Sequence, residues 1–186
     1  PPSHWAYQTI HEMAARQVLR GVTSTEFGPQ QPITRGQLAA ILVRGLNLGE
    51  DDRFARIYYD ISPYDALAPE IGGAIRAGMM MGYPDGTFRP NAPVTRQELA
   101  VVLSRMAERL NLPGAIDREV AERLARMADW NSVAPWAQDG VRYAVSEGLM
   151  VGRSATTWAP LEQTTRAEAA TVIQRLLDKV APGEWR

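Results

Sequence analysis

Cysteine is absent from the 186 residues. That excludes disulfide frameworks, thiolate metal sites and cysteine nucleophiles, while remaining compatible with an exported bacterial protein. Lysine occurs once, at Lys179, so 19 of the 20 basic residues are arginine. The only imidazoles are His4 and His11. No run approaches the roughly 20 apolar residues of a membrane span. No basic segment followed by an apolar one opens the chain, and Pro1 reads as the start of a mature product. Neither sign of charge dominates: 20 basic against 21 acidic residues give a formal net charge of −1, without the basic footprint of a nucleic-acid binder. Gly-x-Ser-x-Gly, His-Glu-x-x-His, P-loop and Gly-x-Gly-x-x-Gly patterns are missing as well, so neither catalysis, a metal site nor a cofactor is expected. What is there, 45% hydrophobic and 22% charged residues, is the composition of a globular chain long enough for a real core.

The chain repeats itself three times. Ile33-Thr34-Arg35-Gly36-Gln37-Leu38, Val94-Thr95-Arg96-Gln97-Glu98-Leu99 and Thr164-Thr165-Arg166-Ala167-Glu168-Ala169 share one motif, and Gly21, Gly82 and Gly152 each lie 13 residues before its threonine. The same register aligns Ile10, Ile71 and Val141, then Val18, Met79 and Leu149, then Phe27, Phe88 and Trp158, then Pro29, Pro90 and Pro160. Each copy reads as helix, loop, helix, because its apolar residues recur at helical spacing on both sides of the loop. The expected organisation is repeat one at 1–48, repeat two at 58–112, an inserted amphipathic helix or linker at 113–127 outside the repeat core, and repeat three at 128–181.

Thr-x-x-Glu ahead of an apolar helical run is a capping box, which satisfies backbone donors at a helix start. Capping does not ask for the arginine that follows. A cation at that end opposes the helix dipole. Arg35, Arg96 and Arg166 therefore have two readings: a salt bridge to a neighbouring repeat, or a site for a bound anion, whose carboxylate a forked guanidinium suits.

His4-Trp5-Ala6 opening a helix, the loop Gly82-Tyr83-Pro84-Asp85-Gly86-Thr87-Phe88-Arg89-Pro90 and the Thr-Arg-x-Glu helix start resemble S-layer homology domains, which occur as three tandem copies. The resemblance implies an all-α pseudo-trimer of helical repeats with grooves between copies. It also implies non-covalent anchoring of a surface protein at the bacterial cell envelope, through pyruvylated secondary cell-wall polysaccharide. It assigns the pyruvate carboxylate to Arg35, Arg96 and Arg166, with the orphan N–H groups of the helix starts adding to the site. More weakly it carries over an aromatic-x-Asp element to Asp60, preceded by Tyr58-Tyr59, and to Asp129, with sugar contacts there. Gly21, Gly82 and Gly152 could admit sugar to the backbone, although helix termination is the simpler reading. Trp5 and Trp136 could stack on sugar, although packing is commoner for such aromatics. The isolated module is expected to be monomeric. The competing reading is a helical-repeat protein-interaction or structural module that binds no glycan.

Overall fold

The computed structural model describes residues 2–23 and 26–180. The fold is all-helical, as the periodicity predicts, with eight α-helices among the described residues and no strand beyond isolated bridges. Two compact units divide the chain, Pro1–Val94 with Thr165–Arg186, and Thr95–Thr164. The first contains α1 (Tyr7–Ala15), α2 (Arg35–Gly45), α3 (Asp52–Ala55), α4 (Ala68–Arg76) and α8 (Arg166–Asp178). The second contains α5 (Arg96–Arg109), α6 (Arg118–Ala125) and α7 (Gln138–Ser146), with short 3-10 turns at Trp130–Ser132 and Pro135–Ala137. In the first unit α1 packs on α8 and α4 packs on α2 and α3; in the second α7 packs on α5 and α6.

The second helix of every repeat starts at the threonine motif. Thr34, Thr95 and Thr165 are extended N-caps, and each hydroxyl accepts from the backbone N–H three residues on, at 3.2, 3.4 and 3.2 Å. The side chains of Gln37, Glu98 and Glu168 accept in return from the cap N–H, at 3.2, 2.8 and 2.9 Å. All three capping boxes form, including the glutamine version. Behind them Leu38, Leu42, Leu99, Leu103, Met106, Ile173 and Leu176 are fully buried.

The first helices end earlier than their apolar stripe suggests. α1, α4 and α7 stop at Ala15, Arg76 and Ser146, and Gln17, Gly78 and Gly148 take left-handed φ values of 60°, 73° and 68°. The N–H groups of Val18, Met79 and Leu149 then reach back to the carbonyls of Met13, Ala74 and Ala144, at 2.9, 3.0 and 2.9 Å. This is a Schellman ending, in which the last residue of the stripe covers the helix end from outside it. Termination therefore belongs to the 17/78/148 column and not to Gly21, Gly82 and Gly152.

The 113–127 segment holds the expected amphipathic helix, capped by Asp117, whose carboxylate accepts from Val120 N–H at 2.9 Å. Its charged face is solvated, but Leu124 is fully buried, so the segment contributes to the core of its unit. A shorter counterpart, α3, lies ahead of α4, with Ala55 fully buried. There the chain comes so close that a Cβ on Gly72 would stand 1.8 Å from the Asp51 carbonyl oxygen, which no side chain allows.

Gln17 alone in its column carries a side chain into left-handed backbone, at a cost of roughly 1 kcal/mol. Gln17→Gly should therefore raise stability by about that amount and the melting temperature by about 2–4 °C in a thermal scan. The same scan on Gly78→Gln should show the opposite shift.

Candidate functional site

The three arginines after the capping threonines are buried, at 6%, 5% and 4% exposure for Arg35, Arg96 and Arg166. Each reaches from one repeat into the loop of the next. Arg35 donates from Nε to the Phe88 carbonyl at 2.8 Å and from Nη2 to the Met81 carbonyl at 2.7 Å. Arg96 does the same to Trp158 at 3.1 Å and Val151 at 2.5 Å. Arg166 closes the series on repeat one, with Phe27 at 2.9 Å and Arg20 at 2.7 Å. The guanidinium carbons lie 4.8, 4.8 and 4.5 Å from the ring centres of Phe88, Trp158 and Phe27. Burial pulls the Arg166 guanidinium below the ordinary arginine value. Each arginine thus reaches a neighbouring repeat, but through backbone carbonyls and not through the carboxylate that the expected salt bridge requires.

The helix-start N–H groups are occupied too. Arg35 and Gly36 donate to the carbonyls of Ala92 and Pro90, Arg96 and Gln97 to Glu162 and Pro160, and Arg166 and Ala167 to Gln31 and Pro29, all at 2.9–3.0 Å. With the capping boxes, these bonds use the amides that were expected to help hold an anion. The expectation of free helix-start donors is corrected accordingly. The proline column supplies the second of the two carbonyls in every copy.

Gly21, Gly82 and Gly152 follow directly on the carbonyls of Arg20, Met81 and Val151 that take Nη2. Their small size is required by the loop itself. A Cβ would lie 2.3 Å from the Thr23 carbonyl oxygen at Gly21, 2.0 Å from the Tyr58 ring at Gly82, and 2.9 Å from two carbonyl oxygens at Gly152. Each loop has a backbone bond at aligned positions: Val22 N–H to Glu26, Tyr83 to Thr87, and Arg153 to Thr157. In repeat two Asp85 accepts from the Thr87 amide and hydroxyl and from Arg89; in repeat three Ser154 accepts from the amides of Thr156 and Thr157 instead.

Asp60 and Asp129 organise the same loops. Asp60 accepts from the Phe88 and Arg89 amides at 2.8 and 2.7 Å, and Asp129 from the Trp158 and Ala159 amides at 2.9 and 2.6 Å. Arg89 and Ala159 there have φ of 59° and 62°, a strained turn that the carboxylate fixes. Tyr58, the aromatic of the aromatic-x-Asp element, accepts from the Gly82 amide at 3.0 Å and packs its ring 5.8 Å from Phe88. The structure thus brings together Arg35, Gly82 and Asp60 in one cluster, Arg96, Gly152 and Asp129 in a second, and Arg166 with Gly21 in a third. Trp5 and Trp136, 60% and 61% exposed, stand outside the packing expected of them. Among the described residues no helix is long and apolar enough to cross a membrane, and no group of side chains could hold a metal ion.

A threefold helical module whose helix starts are stapled by buried arginine into aspartate-pinned loops defines a structural class before any comparison. The S-layer homology domain family matches at residues 1–39, 57–100 and 126–170. The chain belongs to that family, and it is accordingly a non-catalytic cell-surface anchoring module. It is 32% identical over 95% of its length to an amylopullulanase of Thermoanaerobacterium thermosulfurigenes, of which that stretch is 9%. It is 26% identical over 94% to an S-layer protein of Bacillus thuringiensis, covering 20% of that protein, and 28% identical over 87% to a cellulosome-anchoring protein of Acetivibrio thermocellus, covering 35%. The chain thus spans only a small part of the curated relatives it matches.

Two outcomes follow from the loop geometry. Asp129→Ala leaves the Trp158 and Ala159 amides without their acceptor and should destabilise the second unit by about 2–4 kcal/mol in denaturant unfolding, with Asp129→Asn between it and the parent. Asp85 should titrate at about 2 rather than 3.8, chiefly because of its bonds to Thr87 and then to Arg89. Its stabilising effect on the turn is then full above the ordinary value and lost only as pH falls through about 2. A carboxyl-carbon NMR titration with a midpoint near 4 would contradict this.

Proposed function

We propose that the module holds its parent polypeptide at the bacterial surface by binding a pyruvylated, anionic secondary cell-wall polysaccharide at the arginine-stapled loops. The observation that carries this reading is Arg166. Its guanidinium is almost fully buried, its partners are the neutral carbonyls of Phe27 and Arg20, and it forms no ion pair with a described residue. Buried cations are ordinarily balanced by an anion, and carbonyl dipoles balance them only in part. A pyruvate carboxylate laid against the loop would supply the missing charge. Arg35 and Arg96 would serve the same function in their own clusters.

The remaining residues take supporting roles in this reading. Gly21, Gly82 and Gly152 keep the loops narrow enough for sugar to lie along them. Asp60 and Asp129 act by positioning, since their oxygens already accept from loop amides. Trp5 and Trp136 offer exposed faces on which a sugar ring can stack. Repeats two and three, which have the aspartate pin, are the better formed sites. In this reading any further polypeptide joined to the module would be the cargo that is held.

A second reading has its own support. With Nε and Nη2 engaged and the helix-start amides occupied, the arginines would serve purely as staples of an interaction module that binds no glycan. Calorimetric titration with pyruvylated and pyruvate-free saccharide separates the two. The glycan reading expects the pyruvylated form to bind tighter by roughly 10- to 150-fold, the worth of one charge-assisted bond. Arg166→Lys, which keeps the charge but not the fork, should lower that preference in proportion to the sites it disables. Equal affinity for both saccharides, with Arg→Ala variants merely melting earlier, would establish the staple reading.

A further inference from the structure

In cyclic order, the second helix of each repeat packs on the first helix of the next: α2 on α4, α5 on α7 and α8 on α1. In the shared register the same two positions meet at every crossing, as Val43 with Gly73, Ser104 with Tyr143, and Gln174 with Glu12. Their chemistry differs each time. Where α2 crosses α4, a Cβ on Gly73 would stand 3.2 Å from Val43 Cγ2 and 2.3 Å from the Gly49 carbonyl oxygen, so only hydrogen fits. Where α5 crosses α7, the Tyr143 ring takes that place, and a Cβ on Gly114 would stand 2.2 Å from it. Ser104 and Tyr143 line one cavity of about 220 Å³, and the buried Tyr143 hydroxyl has no hydrogen-bond partner. Where α8 crosses α1, Gln174 Nε2 donates to one Glu12 carboxylate oxygen at 2.7 Å, while Gln8 Nε2 donates to the other at 2.9 Å.

A second position varies in the same way. Glu70, Gly140 and Thr9 share a column, and Ala40, Val101 and Thr171 share one on the second helices. Glu70 is 4% exposed and forms an ion pair with Arg44 of α2. At Gly140 a Cβ would lie 2.9 Å from Val101 Cα, so α5 leaves no room for a side chain there. Wrong partners therefore carry specific mismatches. With α7 laid on α2, Tyr143 would need the space of the Gly49 carbonyl, and Arg44 would lose its carboxylate. With α1 on α2, the Glu12 carboxylate would be driven against Val43. With α4 on α5, Glu70 would be pressed into the Val101 backbone. Overpacking and a stranded buried charge are both strongly unfavourable.

We infer that these positions form a pairing code that fixes which first helix each second helix accepts. One chain thereby closes on itself as α2–α4, α5–α7 and α8–α1, and the helices of a second copy are refused. Some such code is required, because the capping boxes and arginine staples are alike in all three copies and distinguish none of them. Three similar repeats without it would exchange helices between chains. The code lies outside the arginine clusters and their loops, so it stands or falls independently of glycan binding.

The test refolds the full chain and its variants from denaturant at several protein concentrations, with light scattering to read oligomeric state. Tyr143→Glu with Ser104→Gln gives the α5–α7 crossing the residues of the α8–α1 crossing, which makes the two interchangeable. This double variant should form roughly tenfold more dimer and larger species than the parent, increasingly so at higher concentration. Tyr143→Phe, which removes only the hydroxyl, should refold as the parent does. A folded double variant with the parent's share of monomer would overturn the inference. Equal oligomer from Tyr143→Phe would overturn it too, because disturbance of the cavity would then be the cause. A thermal double-mutant cycle on Glu12→Ala and Gln174→Ala reads the other crossing. Each single change should lower the melting temperature by about 2–4 °C, and the two together by little more than either alone. Additive losses in that cycle would equally overturn the code.

Discussion

A guanidinium that leaves its own helix start and bonds to two carbonyls of another repeat's loop is the interaction on which the rest of the structure depends. It solves two problems at once. The loop must expose carbonyls as it turns away from the first helix, and buried carbonyls need donors. The helix start must tolerate a cation against its dipole, and two carbonyl oxygens offset that cost locally. The pairing runs from repeat one to loop two, from repeat two to loop three, and from repeat three to loop one. Every copy therefore gives one arginine and receives one.

Around that staple the other invariants of the repeat acquire reasons. The glycine after the Nη2 acceptor exists because the loop folds back on itself within 3 Å of where a Cβ would be. The aromatic whose carbonyl takes Nε also presents its ring to the guanidinium, so one residue supplies both the dipole and the face. The proline carbonyl takes an N–H of the partner helix start. The aspartate ahead of the first helix holds the amide on the other side of the same aromatic residue, so that the Phe88 peptide groups lie between Asp60 and Arg35 and those of Trp158 between Asp129 and Arg96.

Helix starts were legible in the sequence because a capping box is written in side chains: Thr34, Thr95 and Thr165 with their partners three residues on specify the boundary to the residue. Helix ends were not, because Val18, Met79 and Leu149 continue the apolar spacing while belonging to a Schellman turn, and Gln17 conceals a column that glycine marks in the other two copies. The arginines were legible as anomalies and illegible in their partners. A carbonyl acceptor has no letter of its own, so neither Met81 nor Val151 nor Arg20 announces that it receives Nη2. Tyr58 was legible as the aromatic of its element but not in its role, which is to receive a backbone amide; Met127 occupies the matching position without a hydroxyl.

Stapling with carbonyls in place of carboxylates has an electrostatic consequence. A buried arginine–carboxylate pair is neutral and leaves no net field beyond a few ångströms, whereas a buried arginine facing carbonyl dipoles keeps a net positive charge inside low dielectric. Burial acts on Arg166 in the expected direction, lowering its pKa, and charge is retained because arginine loses its proton only far above physiological pH. A fixed positive charge is thereby kept beside the repeat-one loop that takes Arg166.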